Sequence, residues 1–340
     1  YAGRSPEYPG LDQINFVLES PPTGCYIPLQ VRAGNSVSNI TTISVASNQS
    51  YCESTLGLSE AALRRLDDGG AVTLGGVGVT RINLFLGLST DVALGLFARA
   101  DADLAFRAAM LTDLGSLIYP VAVGSCVIFD QATAPEASLD LLTLLARAMP
   151  LSAGTKFTLS GKATVDLPRA PNGLYQNEGL AQFLSGGKWT MSGAGGSEVG
   201  AFSVSTTISP LITWIGPQEG EIARNSLRFT WSGGGSAPED VVYLSGYSTI
   251  VNRVDPYQSQ GKRFQCTAPA GPGSFTVPSV ITAQLPAAPA ESPSTAYFGS
   301  VGFSTRGGSP FTSAPLTAGG SIDGGVFAWV VRDERTVTFK

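Results

Sequence analysis

Histidine, the side chain that most often supplies general bases and metal ligands near neutral pH, does not occur among the 340 residues of the chain. Its absence excludes Ser-His-Asp and Cys-His nucleophiles and the usual imidazole metal sites. The sequence also has no Gly-x-Ser-x-Gly elbow and no glycine loop of the kinds that hold phosphates or dinucleotides. We therefore predict a protein that is not an enzyme and that has no cofactor and no metal.

Carboxylates remain as candidates for acid–base chemistry, because glycoside hydrolysis requires only two of them flanking one bond. The candidates, all in loop-like surroundings, are Glu178, Glu198, Glu239 and Asp240. Two short acidic runs, Asp101–Asp103 and Asp67–Gly69, offer oxygens to calcium, but neither has the ligand spacing of a calcium loop. Solvated loop carboxylates are far commoner than catalytic ones, and we interpret these residues as surface acids.

Aromatic side chains offer a different chemistry, the stacking of rings against the faces of sugars. The candidates for such platforms are Trp189, Trp214, Trp231, Tyr243 and Tyr247. Aromatic residues in strands more often pack in cores, so the exposure of these five rings separates two classes of protein. Rings on a concave, solvent-facing sheet predict a carbohydrate-binding module, whereas buried rings predict a structural role.

The four cysteines allow three disulfide connectivities. Cys25 and Cys52 bracket a segment with the pattern of paired strands, which makes them natural partners and leaves Cys126 with Cys266. Four reduced thiols in a cytosolic protein are the alternative. An even cysteine count in a Ser/Thr-rich chain with few charges favours disulfides, and hence a secreted, extracellular or cell-surface protein.

The composition is typical of short strands joined by many turns. Hydrophobic residues make up 43% of the chain and charged residues 14%, with 41 Gly and 22 Pro to form turns.

A net charge of −5 without a basic stripe excludes nucleic acid as a partner, and no apolar run reaches the ~20 residues that span a bilayer. The start at Tyr1 predicts a processed chain or a piece of a longer precursor. Asn39 and Asn48 match glycosylation sequons, which arise by chance in such a chain.

A six-residue motif occurs three times, in the order basic, aromatic, Thr, large apolar, Ser, Gly. Its copies span residues 156–161, 188–193 and 228–233. The aromatic and the apolar residue lie two apart and share one side of a strand, and Ser-Gly then ends the strand in a turn. The copies are unequally spaced, unlike those of a solenoid. We predict equivalent strands with their aromatic side chains in sandwich cores.

Other local elements are few. Residues 59–70 begin with an N-cap Ser and end at a Gly pair, which predicts a short helix, and a second helix is predicted over Glu136–Met149. Alternating apolar residues over 82–88 and 92–96 predict a hairpin whose turn lies at Ser89–Asp91.

Together these patterns predict an all-β protein of tandem immunoglobulin-like β-sandwich domains with one or two short connecting helices. Residues 1–54 are expected to hold three or four strands of a partial immunoglobulin-like unit. Residues 55–209 then form a middle β-rich domain, and residues 210–340 form a C-terminal immunoglobulin-like sandwich.

Two segments carry a resemblance to a known family. Gly-Leu-Asp-Gln-Ile-Asn-Phe at 10–16, followed by Pro-Thr-Gly-Cys-Tyr-Ile-Pro-Leu at 22–29, resembles the uncharacterised C-terminal domain family of Solibacter-type secreted acidobacterial proteins. The later segments that are similar to the region beside that domain are 124–126, the three aromatic strands, 199–203, and 266–269 with 273–278. The resemblance covers most of 1–54 and 115–340. It implies bacterial immunoglobulin-like modules of exported proteins, and it assigns no activity and no functional residue.

Two functions follow as expectations. The first is a non-enzymatic extracellular structural or adhesive protein, such as a subunit of a self-assembling surface layer or filament; the alternative is a carbohydrate-binding module. For the first, residues 1–54 are about half of an immunoglobulin-like domain and would expose strand edges and an apolar face. That face includes Ile14, Phe16, Leu29 and Val31. Its cover is either the 55–114 region or, as we favour, a neighbouring chain, so the expected partners are further copies or other cell-surface proteins.

Overall fold

The computed structural model describes residues 2–18, 23–29, 31–34, 36–37, 41–46, 51–52, 56–83, 89–103, 123–130, 149–177, 182–225, 227–235, 240–290 and 292–340. These residues are mostly in strands, with two short helices, so the predicted all-β sandwich fold is confirmed. The second predicted helix lies outside the described residues except for Met149, which is the first residue of a strand. Of the described helices, neither is long and apolar enough to cross a membrane.

Six short strands lie in the described part of the N-terminal region, more than the three or four that the sequence predicts. They are β1 (Ala2–Arg4), β2 (Asp12–Ile14), β3 (Gly24–Leu29), β4 (Arg32–Ala33), β5 (Ser36–Val37) and β6 (Thr41–Val45). Their pairing is antiparallel, β1 with β2, β3 with β6 and β4 with β5. Each pair is a separate two-stranded sheet.

One ten-stranded sheet organises the rest of the described chain. Its strands are β7 (Val72–Asn83), β8 (Ser89–Ala100), β9 (Cys126–Asp130), β10 (Met149–Pro150), β13 (Tyr175–Gln176), β17 (Gly220–Ile222), β19 (Val241–Asn252), β20 (Gln260–Pro269), β22 (Thr295–Pro310) and β23 (Gly324–Phe339). The strand order is β10-β8-β7-β23-β22-β19-β20-β9, with β13 on β8 and β17 on β23. The pairs of β23 with β7 and with β17 are parallel, and the remaining pairs are antiparallel.

β7 and β8 form an antiparallel pair whose first strand is Val72–Asn83, whereas the predicted first strand, 82–88, lies outside the described residues except for Ile82 and Asn83. The predicted turn at Ser89–Asp91 is wrong, because Ser89 already pairs with Asn83 and Asp91 with Arg81. The carboxylate of Asp91 is fully buried and accepts hydrogen bonds from Nε and Nη2 of Arg81, at 2.7 and 2.8 Å. A polar residue that is typical of turns is thus accommodated within a strand by a bidentate guanidinium partner.

Two smaller sheets pack against the large one. The first has the order β12-β11-β14-β15 and the second β16-β18-β21. Their strands are β11 (Lys156–Ser160), β12 (Thr164–Pro168), β14 (Gly187–Gly193), β15 (Phe202–Ile208), β16 (Thr213–Gly216), β18 (Arg228–Ser232) and β21 (Ser274–Thr276). Between each of them and the large sheet lies a hydrophobic core, which we call the first and the second core.

Both smaller sheets cover the same face of the large sheet. Along β23, Phe327 and Trp329 belong to the first core, and Val337 and Phe339 belong to the second. These residues are all at odd positions, and alternate residues of a strand share one face. We call this the inner face and the opposite one the outer face.

The first core is built around aromatic rings. The ring of Phe157 stacks on Tyr175 at 3.6 Å and meets the rings of Phe97 and Phe202 edge-on, at 5.9 and 4.9 Å. A Cβ atom at Gly95 would lie 2.7 Å from the Phe157 ring, so glycine is required for this close approach. The three motif copies form β11, β14 and β18, and their buried residues are Phe157, Leu159, Trp189, Met191, Phe229 and Trp231. The prediction that the motif aromatics lie in cores is confirmed.

The second core places Trp214 parallel to the rings of Phe303 and Phe229, at 5.9 and 6.1 Å. At its edge the disulfide of Cys126 with Cys266 joins β9 to β20, as the sequence predicts. Cys52 is also disulfide-bonded, but the side chain of its predicted partner Cys25 lies outside what the structure describes.

Two helices complete the described chain. The predicted helix at 59–70 is confirmed as α1 (Glu60–Asp67), and the Ser59 hydroxyl accepts a hydrogen bond from the amide of Ala62 at 3.2 Å. Ala62 and Leu66 pack on Leu74 and Val326, which lie at even positions, so α1 covers one end of the outer face. The other helix, α2 (Ser279–Thr282), is a single turn beside the second core.

The large sheet joins two of the predicted domains. Strands from 55–209 lie at both ends of it and strands from 210–340 lie between them, so the pairing of β23 with β7 crosses the predicted boundary. The tandem arrangement of separate immunoglobulin-like sandwiches is therefore not confirmed. The description of residues 1–54 as a partial unit of that kind stays a prediction.

Replacing Phe157 by Ala should lower the free energy of unfolding by about 3–5 kcal/mol, because it empties the centre of the first core. The matched control is Phe298→Ala, since Phe298 is a strand residue that is 54% exposed, and its loss should change stability by less than about 1 kcal/mol. Urea unfolding followed by tryptophan fluorescence measures both changes. Equal losses for the two variants would contradict the assigned core.

Candidate binding face

The outer face of the large sheet carries a group of polar and aromatic side chains around β19. Tyr247 lies opposite Arg263 on one neighbouring strand and Ser300 on the other. Tyr243 lies opposite Ser304, which in turn lies opposite Arg332 of β23. Residues that pair directly project to the same side of a sheet, so these side chains form one surface.

We call this surface the outer-face patch. Its members are Tyr243, Tyr247, Arg263, Phe298, Arg306, Arg332 and Glu334. All of them are at least partly exposed, and Phe298 is an exposed ring on a strand. The patch thus combines three aromatic rings with three guanidinium groups and one carboxylate.

Direct contacts fix several of these groups. The guanidinium carbon of Arg306 lies 3.8 Å from the centre of the Tyr243 ring, a cation–π contact. Glu334 accepts a hydrogen bond from the Ser300 hydroxyl at 2.6 Å and forms a salt bridge with Nη2 of Arg332 at 2.7 Å. The single carboxylate of the patch is therefore already engaged.

Arg263 lies in an unfavourable environment for its charge. Burial, followed by repulsion from Arg332, lowers the pKa of Arg263 to about 10, while Glu334 and Tyr247 act in the opposite direction. Its buried Nε atom has no hydrogen-bond partner. The guanidinium stays protonated at neutral pH, so the fold holds a partly buried positive charge there without a salt bridge among the described residues.

Two further polar groups next to Arg263 lack partners. Gln265 and Thr267 follow Arg263 at alternate positions of β20 and lie on the same face. Gln265 is only 2% exposed, and neither its Nε2 atom nor the Thr267 hydroxyl has a hydrogen-bond partner. Unpaired buried donors are rare because each one is costly, so these atoms mark a locally unfavourable part of the fold beside Arg263.

Arginines on the inner face are treated differently. Arg335 donates to the carbonyl oxygens of Trp214 and Ile215, both at 3.1 Å, and of Pro217 at 2.6 Å, and its guanidinium lies 3.8 Å from the Trp214 ring centre. The hydrogen bond to Asp91 raises the pKa of Arg81. These two inner-face guanidinium groups thus have hydrogen-bond partners, whereas the Nε atom of Arg263 on the outer face has none among the described residues.

The structure divides the five predicted stacking residues into two groups. Trp189 is buried in the first core, and Trp214 and Trp231 are buried in the second. Their indole N–H groups donate hydrogen bonds to backbone carbonyl oxygens. Because these three rings are buried, a sugar cannot stack on them. Tyr243 and Tyr247 lie together on the outer-face patch. The sequence did not single out Phe298 or the arginines, because only the strand register shows that they share a face with the tyrosines.

Of the predicted carboxylates, Glu198 and Asp240 belong to the described residues. Glu178 and Glu239 lie outside the described residues, and Glu198 accepts a hydrogen bond from the amide of Ser152 at 2.8 Å. Asp240 uses its carbonyl oxygen to accept from the amide of Ala270. Asp67 ends α1, and Asp101 lies beyond β8. The described part of the chain contains no group of three His, Cys, Asp or Glu residues placed to hold a metal ion.

Comparison with known proteins gives no relative: neither a protein-family model, nor a curated protein, nor a solved structure matches the chain.

Replacing Arg263 by Met should raise the free energy of unfolding by about 1–2 kcal/mol, because it removes a partly buried charge without a salt bridge. The matched inner-face variant is Arg335→Met, which loses three hydrogen bonds to carbonyl oxygens and should lower stability by about 2 kcal/mol. Thermal unfolding at neutral pH compares them. A clear loss of stability in the Arg263 variant would show that Arg263 is a structural residue.

Proposed function

We propose that the chain is a non-enzymatic, extracellular structural or adhesive protein that associates with copies of itself through its N-terminal region. The observation that carries this proposal is the exposure of apolar side chains in that region. They are Tyr8, Leu11, Ile14, Phe16, Val17, Leu18 and Val31. Three of the four residues expected from the sequence to form an exposed apolar face are in this group, and Leu29 is partly buried.

The strand pairing of the same region supports an added partner. The three two-stranded sheets have no third strand among the described residues. An isolated two-stranded sheet is marginally stable in water, and its free edges offer backbone groups to another chain. A second copy would cover the apolar side chains and extend these sheets by edge-to-edge pairing.

The form of the assembly follows from the asymmetry of the contact. The exposed apolar residues are concentrated in the first 31 residues, whereas the two cores occupy the remainder of the described chain. A contact between this region and a different surface of the next copy is head-to-tail, and it generates a filament unless the rotation between copies closes a ring. We therefore propose an extracellular polymer subunit.

The proposed location rests on the cysteines. The disulfide of Cys126 with Cys266 links residues 140 apart in sequence, and disulfides persist in oxidising compartments. An exported protein of the Solibacter type, as proposed from the sequence, agrees with this location. The alternative function, carbohydrate binding, now depends on Tyr243 and Tyr247, since the three tryptophans are buried.

Sedimentation velocity tests the assembly. The wild-type chain should form species larger than a monomer as its concentration rises, and Phe16→Ser should shift the protein toward monomer, because Phe16 is a central member of the exposed apolar group. Phe298→Ser is the matched control, since both phenylalanines are 54% exposed, and it should leave the distribution unchanged.

A wild-type chain that remains monomeric at the highest soluble concentration would contradict the proposal. An equal effect of the Phe16 and Phe298 variants would show that the association is not located in the N-terminal region.

A further inference from the structure

The outer-face patch holds more positive charge than its own residues neutralise. Arg263 and Arg306 have no salt bridge to a described carboxylate, and the only patch carboxylate, Glu334, is engaged by Arg332 and Ser300. A partly buried guanidinium without a salt bridge is unfavourable for folding. Local arrangements that reduce stability without a structural gain are typical of functional sites.

The unpaired groups beside Arg263 point in the same direction. Gln265 is almost completely buried, and its amide nitrogen lacks an acceptor, as does the Thr267 hydroxyl. Both lie on the outer face beside Tyr247 and Tyr243. Both atoms are buried, so a ligand on the surface reaches only the exposed part of Arg263, where a carboxylate oxygen would supply the missing negative charge.

The shape of the surface favours an extended ligand. The patch follows β19 and the strands beside it along the outer face. Tyr243 and Tyr247 are four residues apart on β19, roughly 13 Å, and Phe298 is a diagonal neighbour of Tyr247 at roughly 7–8 Å. Such a row of rings can contact successive units of a linear polymer.

The geometry points to an acidic polysaccharide, a polymer of uronic acid units, bound along β19 of the outer-face patch. Its carboxylates pair with Arg263 and Arg306, and its sugar rings lie on Tyr247 and Phe298. This inference rests on the carbohydrate alternative given above and is independent of self-association, which involves the N-terminal region. The positive charge of the outer-face patch selects an acidic polysaccharide over a neutral one.

A matched pair of polymers tests the charge requirement. Polygalacturonate and its methyl ester share one sugar backbone, but only the former carries carboxylates. Affinity electrophoresis or calorimetry with the full chain should show binding to polygalacturonate that weakens as salt is added, and binding to the methyl ester at least roughly tenfold weaker. Polyglutamate, which has the charge without the sugar, should also bind at least roughly tenfold more weakly.

Variants locate the site. Arg263→Met and Arg306→Met should each weaken binding to polygalacturonate by roughly tenfold or more, and Phe298→Ala should weaken it measurably without loss of fold. Arg228→Met is the control, because Arg228 is an exposed residue of β18 in the second small sheet, away from the outer face. It should leave the affinity unchanged within about twofold. Since Arg263→Met is expected to stabilise the fold, loss of binding in that variant is not a sign of unfolding.

Each other outcome overturns the inference in a different way. Binding to the methyl ester as tight as to polygalacturonate would keep carbohydrate binding and reject the acidic ligand. Equal binding of polyglutamate would show that charge alone is recognised. An equal effect of Arg228→Met would remove the site from the outer face, and no binding to any polymer would reject the carbohydrate function itself.

Discussion

The pairing of β22 with β23 is the constraint on which the rest of this structure depends. Both strands are 16 residues long, and their register runs from Ser300 opposite Thr336 to Pro310 opposite Val326. No strand of either small sheet is longer than seven residues, so one hairpin extends past both cores. Because side chains alternate along a strand, the same face of β23 enters both cores, and both small sheets must lie on that face.

This placement leaves the outer face to other elements. At one end α1 covers it with Ala62 and Leu66, while around β19 it carries tyrosines and arginines instead of an apolar layer. Arg335 has three carbonyl acceptors, whereas the Nε atom of Arg263 has none among the described residues, and this contrast distinguishes the inner from the outer face of the sheet. The interactions that build the cores thus also expose the surface on which we place the ligand.

Local features of this fold could be predicted from the sequence, and the long-range pairing could not. The N-cap at Ser59 and the three aromatic motifs predicted α1, β11, β14 and β18, because capping and alternation are properties of a few neighbouring residues. The parallel pairing of β23 with β7 joins residues about 250 apart and has no local signal. The candidate site could not be predicted for the same reason, because only the strand register places Phe298 and Arg263 near Tyr247. The turn predicted at Ser89–Asp91 was wrong because Asp91 is held within β8 by Arg81 of the neighbouring strand β7.

Hydrogen exchange with mass spectrometry, measured during urea unfolding, tests most directly whether the shared sheet makes both cores one unit. Peptides from β14 report on the first core and peptides from β18 on the second. If β22 and β23 join the cores, both sets of peptides lose protection at the same urea concentration, in one cooperative transition. Separate transitions for β14 and β18 would contradict the shared sheet and would restore two independent domains divided near residue 210.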